Sequence, residues 1–336
     1  MLITELLTAL FQGQALSQPQ SRSLFSLMAQ GQVTDAQLAA AVTAMKMRGE
    51  SIAEISGAAH ALRQAARPFP RPEGEILDIV GTGGDGANTI NISTTACFVA
   101  AAAGAQVAKH GSRAVSSRSG ASDLLAQAGV NLTLSPEHAS RCLQQLGITF
   151  LFAPHYHSGM KHAANVRQQL KTRTIFNLLG PLLNPARPTQ MVLGVYDPQW
   201  LFPIAEVVRS LGVQRALIVH GSGLDELAVH GDSQVVELRD SQLTEYWVSP
   251  EQLGVKRYPL AALVGGDAME NLAISRALLQ GKGSPAQRAA VAVNAGAGLY
   301  LASKAATLAQ GTALALATLD NGSAARLLKQ FVEASQ

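Results

Sequence analysis

Three stretches of this 336-residue chain gather the residue types that handle phosphate and metal ions. The first is Gly81-Thr82-Gly83-Gly84-Asp85-Gly86, followed by Asn88-Thr89-Ile90-Asn91-Ile92-Ser93-Thr94. Glycines let several backbone N–H groups converge on an anion with no Cβ in the way. Asn91, Ser93 and Thr94 fall where a helix begins, so an amide, two hydroxyls and the positive end of the helix dipole can face one phosphate. The second runs from Lys109 to Gly120 and holds three cations, four serine hydroxyls and two glycines in twelve residues. Lys109, Arg113 and Arg118 suit a pyrophosphate wrapped by charge-assisted hydrogen bonds. The third, Gly221-Ser222-Gly223-Leu224-Asp225-Glu226, ends in adjacent carboxylates. Mg²⁺ takes such oxygen ligands together with substrate phosphates.

Other chemistries fit less well. The glycine run satisfies G-x-G-x-x-G, but a dinucleotide site also needs an acid roughly 20 residues on for the ribose. From Gly86 through Ser122 there is no Asp or Glu, and the cations of the second stretch stand there instead. His155, His157 and His162 lie within eight residues, yet no cysteine is near and no His-Glu-x-x-His occurs, which argues against zinc. Arg167, on a helical stretch, can grip a small carboxylate in bidentate fashion. Asn177 and Asn184 read as loop ties.

These groups need elements to hold them. Before residue 70 the pattern is helical. Thr34-Asp35 caps a stretch with Leu38, Ala41, Val42 and Met45 on one face, stopped by Gly49, and Ser51 with Glu54 forms a capping box for the next helix. Pro68-Phe69-Pro70-Arg71-Pro72 reads as a linker. Short apolar runs then alternate with helical stretches: Ile76–Val80, Val107-Ala108, Ile148–Phe152, Met191–Tyr196 and Ala216–His220 as buried strands, with Leu124–Ala128, Ser135–Leu146 and Pro198–Leu211 as helices among them. That alternation predicts an α/β layer with a central, mostly parallel sheet. Gln234–Leu238 and Leu243–Val248 predict a hairpin edge, and the chain is helical again from Ala268. The segment 158–188 shows no strand signal and is expected to pack on the N-terminal helices. The expected division is therefore a helical body, 1–70 with 158–188, and an α/β body, 71–157 with 189–336.

Composition sets the outer limits. Hydrophobic residues make up 47% and charged residues 15%, against disorder. A net charge of +3 is too mild for a nucleic-acid coat or a membrane-surface protein, so neither nucleic acid nor membrane is an expected partner. Two cysteines without CxxC spacing suit a reducing compartment. The N-terminus has an early acid and no basic region before an apolar stretch, unlike a signal peptide. A cytoplasmic location is expected.

Gly81-Thr-Gly-Gly-Asp85, Asn91-Ile-Ser-Thr94, Lys109-His-Gly-x-Arg113-x-Val-Ser-Ser117 and Arg173-Thr-Ile-Phe-Asn-Leu-Leu-Gly-Pro-Leu-x-Asn-Pro185 together resemble the anthranilate phosphoribosyltransferases of tryptophan biosynthesis, over nearly the whole chain. The resemblance implies a small helical domain, a larger α/β domain related to the pyrimidine nucleoside phosphorylases, and a homodimer formed through the helical domain. It places phosphoribosyl pyrophosphate on Gly81, Gly84, Asp85, Thr89, Asn91, Ile92, Ser93, Thr94, Lys109, Gly111, Arg113, Ser116, Ser117 and Ala121. It places anthranilate on Gly81, His110, Ser112 and Arg167, and Mg²⁺ on Ser93, Asp225 and Glu226, with Lys109, Asp225 and Glu226 catalytic. Two positions depart from the family: Ser112 replaces the usual Asn, and Ala121 a usual Ser. Other readings of the motifs are a pyrimidine nucleoside phosphorylase and a non-catalytic nucleic-acid-binding relative.

Overall fold

The computed structural model describes residues 2–114 and 118–336. Helices α1 (Ile3–Phe11), α2 (Gln18–Ala29), α3 (Asp35–Arg48) and α4 (Ile52–Gln64) come first. Then follow β1 (Leu77–Gly81), α5 (Ile92–Ala102), β2 (Val107–Gly111), α6 (Ala121–Ala128), α7 (Pro136–Leu146), β3 (Ile148–Phe152) and a short α8 (Ala153–Tyr156). After α9 (Lys161–Leu170) and α10 (Ile175–Leu179) the chain re-enters the sheet with β4 (Gln190–Gly194), α11 (Leu201–Ser210), β5 (Arg215–Gly221), β6 (Ser233–Arg239) and β7 (Gln242–Val248). It closes with α12 (Ala268–Leu279), α13 (Pro285–Leu301), α14 (Leu308–Asp320) and α15 (Ser323–Ala334).

Local signals set the helix starts. Ser51 Oγ accepts the Glu54 N–H at 3.2 Å while Glu54 Oε2 accepts the Ser51 N–H at 2.9 Å, closing the expected capping box. Glu54 is fully buried, and its charge is matched by Arg48 and by the Leu16 N–H at 3.0 Å, so no carboxylate oxygen is stranded.

The seven strands form one sheet in the order β3-β2-β1-β4-β5-β6-β7. The first five are parallel, and β6 and β7 are the antiparallel hairpin edge. Alternate residues feed two cores. Leu77, Ile79, Val192, Leu217 and Val219 pack with α5 and α13 on one face. Met191, Leu193, Ala216 and Ile218 pack with α11 and the N-terminal helices on the other. The protein thus has a small helical N-terminal domain and a larger α/β domain with a mostly parallel sheet. Helix α9 packs on α3 and α10 on α4. Ser56 Oγ lies 2.9 Å from Ser210 Oγ, joining α4 to α11.

This topology fixes where a ligand goes. After β1 the chain crosses through α5 to β2 on one side, whereas after β4 it crosses through α11 to β5 on the other. The loops leaving neighbouring β1 and β4 therefore diverge and open a crevice outside their C-terminal ends. The residues at those ends are the register partners Gly81 and Gly194.

Candidate active site

Asp225 fills the mouth of that crevice. Its Oδ2 accepts the Gly83 N–H at 2.6 Å. A Cβ on Gly81 would stand 2.1 Å from Asp225 Oδ2, and one on Gly194 would stand 1.5 Å from its carbonyl oxygen. Both strand ends must be glycine for the acid to reach the loop. Glu226 turns the other way: its Oε1 accepts the Ser93 N–H at 3.0 Å and the Ser93 Oγ–H at 2.7 Å. The third stretch of the sequence is thereby locked to the first turn of α5, and the two acids stand between the glycine loop and the helix.

Both carboxyls have pKa values well above the ordinary range. For Asp225 the main cause is burial, followed by the negative charge of Asp85 beside it; for Glu226 it is burial, followed by Asp225. Clustered buried acids call for a cation. The donors nearby are all oxygen, and among the described residues no set of three or more His, Cys, Asp or Glu is arranged to hold a metal. Two carboxylates and a hydroxyl leave the remaining positions to water and phosphate oxygens, which fits Mg²⁺.

The glycine loop keeps Gly83, Gly84 and Gly86 at positive φ, and Asp85 Oδ1 accepts the Ala87 N–H at 3.1 Å. Thr89 forms a β-bridge with Val264. Ile92 and Thr94, in the first turn of α5, are buried. Asn91 caps that helix and its Nδ2 donates to the Ser119 carbonyl at 3.1 Å, joining the first stretch to the basic loop. Gly111 ends β2 and Ala121 opens α6. The Ser112 carbonyl accepts the Ser122 N–H at 3.3 Å, and Arg113 is largely exposed and 3.5 Å from Asp123. Ser116 and Ser117 lie outside the described residues.

Lys109 points inward. It is buried, and its Nζ donates to the Ile79 carbonyl at 2.8 Å, beneath the glycine loop. His110 is buried on the opposite face of β2, edge-on to His157 with ring centroids 5.2 Å apart. Burial drives the His110 pKa far below its ordinary value and that of His157 to about 4. Both rings are neutral at pH 7 and act as hydrogen-bonding groups rather than cations. Arg167, on α9, lies 5.7 Å from the Phe176 ring centroid and has no ion pair among the described residues. Burial lowers its pKa.

Two residues that hold the site were not singled out from sequence. Gly194 is one, since its need for a bare Cα arises only when Asp225 folds over it. Arg173 is the other: its guanidinium donates to the Gly84 carbonyl and lies 4.2 Å from the Tyr196 ring centroid, while its own carbonyl accepts from Lys46 Nζ of α3 at 2.6 Å. Its place in Arg173-Thr-Ile-Phe-Asn177 was the available signal. The expected loop ties hold. Asn177 Oδ1 accepts the Thr174 N–H at 3.1 Å, and Asn184 Nδ2 donates to Asp78 and to the Ala108 carbonyl, each at 2.8 Å.

Known proteins are similar to this chain in sequence and fold. The model of the glycosyl transferase family helical bundle domain matches residues 4–66, and that of the glycosyl transferase family a/b domain matches 73–325. Anthranilate phosphoribosyltransferases of Shewanella sp. strains MR-7 and MR-4 are 58% and 59% identical, over 99% of this chain and 97% of theirs. The crystal structure of the Thermus thermophilus anthranilate phosphoribosyltransferase superposes with a TM-score of 0.94 at 44% identity, over 98% of this chain and 99% of that one. The Saccharomyces cerevisiae enzyme, in complex with phosphoribosyl pyrophosphate and Mg, gives 0.90 at 26% identity, over 99% of this chain and 97% of that one. By sequence along its whole length and by fold, the chain belongs to the anthranilate phosphoribosyltransferase family.

Proposed function

We infer that the chain transfers the 5-phosphoribosyl group of phosphoribosyl pyrophosphate to the amine of anthranilate, giving N-(5-phosphoribosyl)anthranilate and pyrophosphate. The observation that carries this reading is the Asp225–Glu226 pair, held by Gly83 and Ser93 at the sheet's switch point, beside a glycine loop at positive φ. Ser93, Asp225 and Glu226 would hold Mg²⁺. Bound there, the ion supplies positive charge against the departing pyrophosphate.

The other parts of the reaction fall to the chain. The anthranilate amine is a weak nucleophile that needs no strong base, so the barrier lies in breaking the C1–O bond and in the oxocarbenium character that follows. Gly81, Gly84 and Asp85, with Thr89, Asn91, Ile92, Ser93 and Thr94, take the donor's phosphates and ribose. The end of β2 with Lys109 and Gly111, and the stretch with Arg113, Ser116 and Ser117 that leads to Ala121 of α6, complete that cradle. These dipoles are in place before the bond breaks, so little reorganisation is needed as charge moves to the leaving group. Lys109 adds its charge from below the loop. Arg167 orients the acceptor by its carboxylate, with Gly81, neutral His110 and Ser112 lining the same place. Closure of the helical body, 1–70 with 158–188, over the α/β body, 71–157 with 189–336, excludes the water that would hydrolyse the cation.

The protein acts as a homodimer in the cytoplasm. Phe11 at 64% and Met47 at 81% exposure, with Ile52, are uncovered apolar side chains of the helical domain, and a second copy would bury them. Both cysteines are free thiols, as a reducing compartment keeps them, and no described helix is long and apolar enough to cross a membrane. Mixing the protein with Mg²⁺, phosphoribosyl pyrophosphate and anthranilate should quench anthranilate fluorescence. No loss of fluorescence at saturating substrates overturns the reading.

A further inference from the structure

The segment between Leu263 and Asn271 makes no part of the phosphate cradle, yet it is zipped onto it. The Ile90 N–H donates to the Leu263 carbonyl and the Gly265 N–H to the Asn88 carbonyl, each at 2.9 Å, on either side of the Thr89–Val264 bridge. Asn271, in the first turn of α12, is 1% exposed. Its Oδ1 accepts the Gly266 N–H at 2.8 Å, and its Nδ2 donates to Asn91 Oδ1 at 2.8 Å. Asn91 Nδ2 passes the bond on to the Ser119 carbonyl at 3.1 Å.

The direction of this relay is fixed by its ends. A backbone N–H can only donate, so the Asn271 atom facing Gly266 must be the oxygen. A backbone carbonyl can only accept, so the Asn91 atom facing Ser119 must be the nitrogen. The two remaining atoms then meet as donor and acceptor, and neither amide can turn over without setting two like groups against each other. In a buried site such a mismatch costs more than the loss of a single bond in water.

We propose that Asn271 is a positioning residue for the phosphoribosyl donor, because, together with the Ser119 carbonyl, it sets which way the Asn91 amide points and thereby couples the glycine loop to the basic loop. The proposal rests on the reading of Asn91 as a donor contact. Asn271 touches nothing assigned to the acceptor, so its loss should act on one substrate only. Asn271→Leu keeps the size and removes both bonds. Asn271→Asp keeps the shape and places a lone pair against Asn91 Oδ1.

The experiment measures KM for each substrate in steady state, together with donor binding by calorimetry in the presence of Mg²⁺, for the wild-type protein and both variants. The expected result is a rise of about tenfold in donor KM and in donor Kd for each variant, with anthranilate KM changed by less than about twofold. Equal rises in both KM values, or donor affinity unchanged in a folded variant, overturn the proposal. If Asn271→Leu fails to fold, Asn271→Asp is read in the same way. A wild-type protein that binds the donor but does not consume anthranilate defeats the functional reading instead, and the donor Kd values of the variants still decide the role of Asn271.

Discussion

Asp225 occupies the space that a side chain on Gly81 would fill: a Cβ there would lie 2.1 Å from Asp225 Oδ2 and 2.9 Å from its carbonyl oxygen. The glycine at the end of β1 is therefore a demand of the acid loop as well as of the ligand. Gly81→Ala must displace Asp225, and a shift of about 1 Å at reacting groups costs on the order of a hundredfold in rate. The expected outcome is a fall in kcat of that size with a weaker Mg²⁺ dependence. A variant with normal kcat and a normal Mg²⁺ titration would separate Asp225 from the chemistry.

The acid pair also sets a pH dependence of stability. Burial raises both carboxyl pKa values above those of the unfolded chain, helped by the charge of Asp85 on Asp225 and of Asp225 on Glu226. Between the unfolded and folded values the native state binds more protons, so stability is full below the unfolded pKa and is lost as pH rises through the folded one. Without Mg²⁺, the melting temperature should fall from pH 5 to pH 8. Added Mg²⁺ should restore it, and more so at pH 8, where the ion meets ionised ligands. Asp225→Asn together with Glu226→Gln should flatten both trends and lower kcat by at least about a hundredfold. A pH-independent Mg²⁺ effect would contradict the assignment.

Most of the fold could be read from the residues. Short β-branched runs such as Ile76–Val80 and Ala216–His220 sit between turn residues and match β1 and β5 closely. Capping residues such as Ser51 and Glu54 satisfy their own neighbours, so their signal is local. The glycine loop, the basic loop and the Asp225–Glu226 pair were visible for the same reason, since each carries its chemistry in consecutive residues. What stayed hidden depends on approach in three dimensions. Gly194 matters only because Asp225 folds over it, Arg173 meets Gly84 across 89 positions, and Asn271 meets Asn91 across 180. The inward turn of Lys109 was equally illegible, because a lysine after two apolar residues reads as the end of a strand entering solvent.

Arg167 presents a half-buried guanidinium with no ion pair among the described residues, and anthranilate carries a carboxylate. Arg167→Ala should raise anthranilate KM by roughly ten- to a hundredfold, the range for a charge-assisted hydrogen bond, and donor KM far less. Arg167→Lys should recover only part of this, because an ammonium lacks the planar fork that matches a carboxylate. A larger effect on the donor than on anthranilate would remove Arg167 from the acceptor site.

Arg173 joins the two domains at the glycine loop. Its side chain stacks on Tyr196 and holds the Gly84 carbonyl, while Lys46 of the helical domain holds its backbone. Tyr196 is tied to the same loop, since its N–H donates to Thr82 Oγ1 at 3.1 Å. Arg173→Lys keeps the charge but loses the flat stacking surface and the fork, so the loop should loosen and donor KM rise by about tenfold. Lys46→Met, which removes only the hold on the Arg173 carbonyl, should shift donor KM in the same direction by a smaller factor of about two to five. If the loop is held by its own glycine geometry instead, both variants will bind the donor as the wild type does, and calorimetry with phosphoribosyl pyrophosphate and Mg²⁺ will show it.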